Sequence, residues 1–316
     1  HEYSEIFDGI IDIDEFCLNG EFTLLMNEMI SNEVEEVCLR QDKNRYINRL
    51  IQHKEYMSNP QHPLDSITIS SEGEYLITGA TGAVGMSYAQ YIVNSGARKI
   101  LFMCRNYPND SVMAQMNSFK EKGVKIELLL ADVCNASEVE KVLANYKNIV
   151  GVIHGAGVLK DKMLRDLDWD EFEYVMNPKV KGTLNVLRAI NLKNIDFFIM
   201  LSSITSVLGN IGQANYASAN YFMNSLAHYM EQKGVHGYAV CWGPWQSGGM
   251  VNENNSVMKN LSASGIKSFD KDTALKLIGE LFDNINSNIT VLDIDWKKYE
   301  ENTNSKNTKK LISKLV

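Results

Sequence analysis

Residues 75–94 constrain the fold of this chain more than any other stretch. The apolar run Tyr75–Thr78 leads directly into Gly79-Ala80-Thr81-Gly82-Ala83-Val84-Gly85, and an amphipathic segment, Val84–Asn94, follows. A buried strand, a glycine turn and a helix in that order open a βαβ unit on a parallel sheet. Glycines at such a turn let the backbone approach a pyrophosphate, whose charge is met by the amides of the helix N-terminus. A glycine triplet alone is a weak signal; its place between strand and helix makes it a strong one. Thr78, Gly79, Thr81, Gly82, Ala83, Val84 and Gly85 are therefore candidate dinucleotide-binding residues.

The same alternation continues downstream. Lys99–Cys104, Ile126–Ala131, Val150–His154, Phe197–Ser202 and Tyr238–Trp242 read as buried strands, with Ile289–Leu292 a last one. Their unbroken hydrophobicity is expected where helices cover both faces of a sheet. Val84–Asn94, Ser137–Asn145, Asp170–Leu187, Gln213–Gln232 and Lys271–Asn284 read as the covering helices, which gives an α/β fold with a Rossmann-like, doubly wound parallel sheet. The first ~70 residues differ in character. Val34–Arg40 and Arg45–Leu50 read as a hairpin, Phe22–Ile30 as an amphipathic helix, and Tyr56–Gly73, with Pro60 and Pro63, as a polar linker. Glu300–Lys310 lacks apolar periodicity and reads as a solvated tether.

Composition removes several function classes. The chain has 316 residues, 45% of them hydrophobic and 22% charged, and a formal charge of −8. That balance argues against a broad nucleic-acid surface. No run reaches the ~20 apolar residues of a membrane span, and no signal peptide opens the sequence. Five scattered cysteines without a C-x-x-C pair suggest neither zinc nor a disulfide framework, so no metal and a reducing, cytoplasmic setting are expected. The chain opens on His1 rather than methionine, as a piece of a longer polypeptide would.

Strand ends carry the remaining cofactor signals. NAD enzymes usually end the second strand with an acid that accepts from the ribose hydroxyls, whereas Arg105 stands here. A guanidinium suits a 2′-phosphate, so NADPH is the expected cofactor. Asp132 and Val133 end the third strand, where a carboxylate can accept from the adenine amine. His154, Gly155, Ala156 and Gly157 end the fourth, and the small residues leave room for ribose and nicotinamide. His154 itself, a lone histidine at a strand end, reads as a packed neutral group.

Hydride delivery to a ketone builds negative charge on its oxygen, which calls for an acid and a hydrogen-bond donor. Ser203 ends the fifth strand, and Tyr216 follows thirteen residues later in a helix. This arrangement resembles the short-chain dehydrogenase/reductases, in which the serine orients the carbonyl and the tyrosine donates a proton. Most of these enzymes carry a lysine four residues after the tyrosine, where this chain has Asn220. A phenol with an ordinary pKa near ~10 needs a cation beside it, so the cation must come from elsewhere.

Within that superfamily the chain resembles a ketoreductase domain of a modular polyketide synthase. The resemblance rests on Thr78–Gly85, His154–Gly157, Asn177-Pro-Lys-Val-Lys-Gly182, Leu201-Ser-Ser203, Gly209 through Asn220, Cys241-Trp-Gly-Pro-Trp245 and Gly248-Gly-Met250. It implies that Lys179 supplies the missing cation, with Asn220 in the place vacated after the tyrosine. Lys181, two residues on, would project differently from a helix. Pro244 and Trp245 would flank the nicotinamide, and Gly248–Gly265 would form a lid over the substrate. The implied substrate is a β-ketoacyl thioester on an acyl carrier protein, beside other synthase domains.

The resemblance further implies 73–300 as the catalytic domain, 1–72 as the end of a structural subdomain that is longer in the family, and 301–316 as a tail. Ala80 stands where the family's loop commonly has a second glycine. For stereochemistry, Asp161 matches the diagnostic aspartate of ketoreductases that give a D-hydroxyl, and Gln213 replaces the tryptophan of the opposite class. Gly248 and Met250 complete the expected substrate side. Two other readings compete. A free-standing short-chain reductase predicts an intact Tyr-x-x-x-Lys and no appended N-terminal strands; a non-reducing scaffold or epimerase predicts a damaged loop or a lost Tyr or Ser.

Overall fold

The computed structural model describes residues 2, 9–13, 22–31, 35–40, 44–53, 65–246 and 261–316. The chain divides into two compact units: His1–Pro63 with Ile294–Val316, and Leu64–Asp293.

In the smaller unit, β1 (Gly9–Ile13) pairs in parallel with β2 (Glu35–Leu39), which pairs antiparallel with β3 (Arg45–Ile47). The expected hairpin is formed, and Phe22–Ile30 is helical; residues 41–43 of the turn and 56–64 of the linker lie outside the described residues. Alternation along β2 buries Val37 and Leu39, which pack with Ile11, Ile13, Leu24 and Leu25. The same alternation buries Glu35, and Arg45 and Arg49 neutralise it at 3.0 and 2.5 Å. The C-terminal segment is not a tether but two short helices, Trp296–Asn302 and Lys306–Leu311. Asp295 and Ser305 cap them by accepting from the amides of Lys298 and Thr308. Tyr299, Thr308 and Ile312 are buried, so a sparse apolar stripe suffices where caps supply the ends.

The larger unit holds the expected sheet. Its strands are β4 (Glu74–Thr78), β5 (Lys99–Cys104), β6 (Lys125–Leu130), β7 (Ile149–His154), β8 (Phe197–Ser203), β9 (Gly237–Trp242) and, after the short β10 (Ile266–Lys267), β11 (Asn288–Val291). These seven strands pair in parallel with their neighbours, in the order β11-β9-β8-β7-β4-β5-β6. Successive side chains divide between two cores. Tyr75, Ile77, Phe102, Ile153 and Val240 face one side with Tyr88 and Phe282; Leu76, Leu101, Val152, Phe198 and Ala239 face the other with Met223 and Ala227. This is the expected Rossmann-like, doubly wound parallel sheet. Strand order reverses between β4 and β7, and ligands of such sheets bind at the carboxyl ends beside that switch.

Two helical expectations change. Asp110–Glu121 is a helix that the sequence hides, because only Val112, Met116 and Phe119 are buried along it; Asn109 caps it. The expected helix over 170–187 is two helices, Trp169–Lys179 and Lys181–Ala189, hinged at Val180. Pro178 lacks an amide hydrogen, and its carbonyl bonds the His154 ring at 3.1 Å. The Lys179 carbonyl in turn accepts from Thr183 Oγ1 at 2.5 Å. Among the described residues no helix is long and apolar enough to cross a membrane.

Candidate active site

The turn after β4 is built around Gly79. Its φ is +67°, and a Cβ there would sit 2.3 Å from the Gly155 carbonyl oxygen, so the loops after β4 and β7 touch backbone to backbone. Gly85 is nearly as tight, with a Cβ 2.9 Å from Gly79 O. Gly82 differs: its φ is −88°, and the nearest atom to a Cβ would be 3.4 Å away. As N-cap of helix Ala83–Asn94 it offers no side chain to the first-turn amides. An uncapped helix N-terminus beside open space fits the pyrophosphate of a dinucleotide.

Beneath this turn lies a buried relay of fixed polarity. Among the described residues the His154 Nε2 faces only the Pro178 carbonyl, so it carries the proton; Nδ1 then accepts from Thr78 Oγ1 at 2.9 Å. Thr78 Oγ1 in turn accepts from the Ala156 amide at 3.2 Å. Burial, reinforced by the Lys179 charge, holds His154 down at about 3, and it stays neutral. His154 thus ties the loops to the lysine helix and does not line the cavity. Arg105 is exposed just past β5. Asp132 is half-buried and accepts from the Cys134 amide at 2.9 Å, while Val133 packs under Gly182.

A cavity of about 340 Å³ opens at the switch point. The glycine loop, Gly155, Gly157, Pro244 and Trp245 line one part of it, and Lys179, Ser203, Tyr216 and Gln213 another. Lys179 is 2% exposed. Its Nζ donates to Leu201 O at 2.9 Å and stands 5.5 Å from the centre of the Tyr216 ring. Burial lowers its pKa to about 7, with a weaker opposing influence from Cys241. Burial also raises Tyr216 to about 12, against hydrogen bonds from Asn220 and Ser203 that favour the phenolate. Burial dominates both groups, so the phenol keeps its proton at neutral pH, as an acid must. Lys181 is exposed and lies 3.7 Å from Glu173, at the surface.

Ser203 is set up to donate. Its Oγ accepts from Thr205 N at 3.2 Å and from Thr205 Oγ1 at 3.0 Å, so its lone pairs are engaged and its own hydrogen is left to give. Asn220 is buried, and its Nδ2 donates to Tyr216 O at 2.7 Å. Its Oδ1 is buried with no partner among the described residues. The two residues expected to bear on stereochemistry meet directly: Gln213 Nε2 lies 3.1 Å from both Asp161 carboxylate oxygens. Asn215 Nδ2 and the Lys162 amide hold the same two loops together, at 3.0 and 2.8 Å. Gly248 and Met250 lie outside the described residues, as does most of the expected lid.

Sequence reasoning missed several contributors. Thr205 orients Ser203, and Trp242 lines the cavity with its indole donating to Tyr88 Oη at 3.2 Å. The tryptophan lay in a quoted motif; the tyrosine gave no signal, being one more apolar helix residue.

Comparison with known proteins places the chain. Residues 73–247, more than half of it, match the family model described as KR domain. A 6-methylsalicylic acid synthase of Arthrobotrys oligospora is 28% identical over 291 residues, covering 87% of this chain and 16% of that protein. Polyketide synthase PksN of Bacillus subtilis is 34% identical over 218 residues, covering 66% of this chain and 4% of that protein. The chain thus spans a small part of these relatives. Among solved structures, the first ketoreductase of the tylosin PKS superposes with a TM-score of 0.82 at 25% identity, over 99% of this chain and 67% of that one. With the family model matched from the first strand of the sheet to the end of its cavity-lining Trp-Gly-Pro-Trp segment, this chain belongs to the KR domain family.

Proposed function

We infer that the chain reduces the ketone of a β-ketoacyl thioester tethered to an acyl carrier protein, giving the D-β-hydroxyacyl thioester in polyketide biosynthesis, with NADPH as reductant. The observation that carries this reading is the convergence of Lys179, Ser203 and Tyr216 on the cavity that the glycine loop also lines. The loop from Thr78 to Gly85 would hold the pyrophosphate, and Arg105 the 2′-phosphate. Asp132 and Val133 would lie along the adenosine, and Gly155–Gly157, Pro244 and Trp245 along the nicotinamide ribose and carboxamide. When bound, NADPH supplies the hydride.

The protein's own groups handle the oxygen and its proton. The Ser203 hydroxyl, its lone pairs occupied by Thr205, donates to the substrate carbonyl and strengthens its bond as the oxyanion grows. Tyr216 gives its proton to that oxygen. The phenolate left behind is compensated by Lys179, whose ammonium form gains from the new anion close by. Asn220 Oδ1, buried and without a partner among the described residues, is suited to hold a water that returns a proton to the tyrosine. Asp161, bonded to the cavity-lining Gln213, would bias with it the side from which the tethered chain enters. Other synthase domains of the same polypeptide, in the cytoplasm, are the expected neighbours.

Both competing readings lose support here. A free-standing reductase would carry its lysine at position 220, and a non-reducing scaffold has no use for an intact loop and a buried lysine beside a phenol. The test is to incubate the chain with NADPH and a β-ketoacyl N-acetylcysteamine thioester, followed by chiral chromatography. A D-hydroxyl product is expected. A mainly L-hydroxyl product defeats the stereochemical assignment, and no NADPH consumption with either this thioester or a carrier-bound one defeats the reductase reading.

A further inference from the structure

We propose that Asn224 is a positioning residue that fixes the helix carrying Tyr216 against the strand end carrying Ser203. This rests on the reductase reading above. Tyr216, Asn220 and Asn224 recur every four residues on helix Ala214–Gln232 and therefore share one face. Asn224 is 5% exposed, and every polar atom of its amide is used. Its Oδ1 accepts from Ser202 Oγ at 2.7 Å and from Cys241 Sγ at 3.4 Å. Its Nδ2 donates to Ser206 Oγ at 2.8 Å. Ser206 passes the connection on, donating to the Ser203 carbonyl at 2.6 Å.

The direction of these bonds is forced. The Ser203 carbonyl can only accept, so the Ser206 hydrogen is spent on it and Ser206 Oγ must accept from the amide nitrogen. The amide oxygen then faces Ser202 and Cys241, which both have a hydrogen to give. One side chain thus ties together the tyrosine helix, both serines at the end of β8 and the neighbouring strand β9. Replacing it removes the shortest bond of the buried Ser202 hydroxyl, which keeps only 3.4 Å contacts, and the amide donor to Ser206, so the segment carrying Ser203 is less firmly tied to the helix of Tyr216. Because the serine donor and the phenol must meet one substrate oxygen, a displacement of about 1 Å costs on the order of 100-fold in rate. Asn224 does not itself line the cavity and bonds no residue of the glycine loop, touching the wall only through Ser202, so cofactor affinity should not follow.

The test compares Asn224→Leu and Asn224→Asp with the wild-type chain. kcat and KM are measured on a β-ketoacyl N-acetylcysteamine thioester, NADPH affinity by fluorescence titration, and folding by thermal melting. Leucine keeps the volume and removes every bond; aspartate keeps the acceptor for Ser202 and loses the donor to Ser206. Expected is a kcat loss of roughly 100-fold for leucine and an intermediate loss for aspartate, with NADPH affinity within about twofold of wild type. A leucine variant within about threefold of wild-type kcat overturns the proposal, because volume would then suffice. Where leucine prevents folding, Asn224→Asp and Ser206→Ala decide, and unchanged kcat in both overturns it. A wild-type chain that reduces no thioester sinks the reductase reading and this proposal together; an active wild type with indifferent variants sinks this proposal alone.

Discussion

The two sides of the cavity do their work by opposite means. The glycine loop side acts through backbone and through missing atoms: Gly79 lets two loops touch, and Gly82 leaves room at an uncapped helix end. The Lys179–Tyr216 side acts through side chains that burial has moved far from their ordinary titration. One side is damaged by adding a carbon, the other by removing a charge. The lesson is that the first side can be stable and functional at once, whereas the second trades stability for chemistry.

The sharpest way to break this contrast is Lys179→Met. We expect a kcat loss of about 10³-fold or more with a carrier-type thioester, while Lys181→Ala, at the surface, keeps most activity. The same variant should be more stable. The folded lysine titrates near about 7 and the unfolded one near 10.5, so between those values the unfolded chain holds a proton that the folded chain resists. Stability therefore falls as pH drops from 10.5 towards 7, and the full penalty applies below. Each pH unit of that window is worth about 1.4 kcal/mol, and each kcal/mol about 2–4 °C in Tm. A Tm at pH 7 that drops on losing this lysine would erase the distinction between the two sides.

Arg105→Glu probes the place where the cofactor side is expected to rely on charge. KM for NADPH should rise about 10- to 100-fold, with a narrower gap to NADH. An unchanged cofactor preference removes Arg105 from the site. Next come the glycines. Gly82→Ala should fold normally and weaken NADPH binding about tenfold, since its added carbon makes only an ordinary 3.4 Å contact with Gly79 O and otherwise enters the space proposed for the pyrophosphate. Gly79→Ala should instead lower Tm by about 5 °C or more, because its φ is positive and its carbon strikes backbone. Matching melting temperatures for the two variants would show that the loop's glycines do not divide this way.

The smallest expected effect concerns His154, which joins the two sides. Held at about 3 when folded and near 6.5 when unfolded, it takes up a proton on unfolding anywhere between those values. Stability should decline as pH is lowered through that window, by at most about 1.4 kcal/mol per pH unit from this group. Urea melts of wild type and His154→Gln from pH 7 to pH 5 measure the difference. Parallel slopes would mean that this histidine contributes nothing to the acid sensitivity.

Much of this was legible in the sequence because it is written locally. Each central strand was readable to within a residue or two, since strands covered on both faces are continuous apolar runs. Helix Asp110–Glu121 was not, because three buried residues in twelve give too thin a stripe. The break at Val180 was only half visible: Pro178 stood in the sequence, but the His154 bond to its carbonyl, across 24 residues, exists only after folding. Lys179, Ser203 and Tyr216 could be named from family motifs, and the structure brings them to one cavity. Thr205, Tyr88 and Asn224 carry no motif, and their roles arise from what they touch.

The placement of the cation and the phenol on separate helices has a consequence for how this protein loses function. In a Tyr-x-x-x-Lys enzyme one turn of helix rules the distance between the two groups, and it survives as long as the helix does. Here the 5.5 Å between Lys179 Nζ and the Tyr216 ring is held by tertiary contacts, helix packing and the Lys179 bond to Leu201 O on β8, and by nothing along the chain. Mild heat, acid or denaturant that loosens packing while sparing helices should therefore silence the protein while its far-ultraviolet dichroism still looks native. Activity, in this chain, is a gauge of tertiary order.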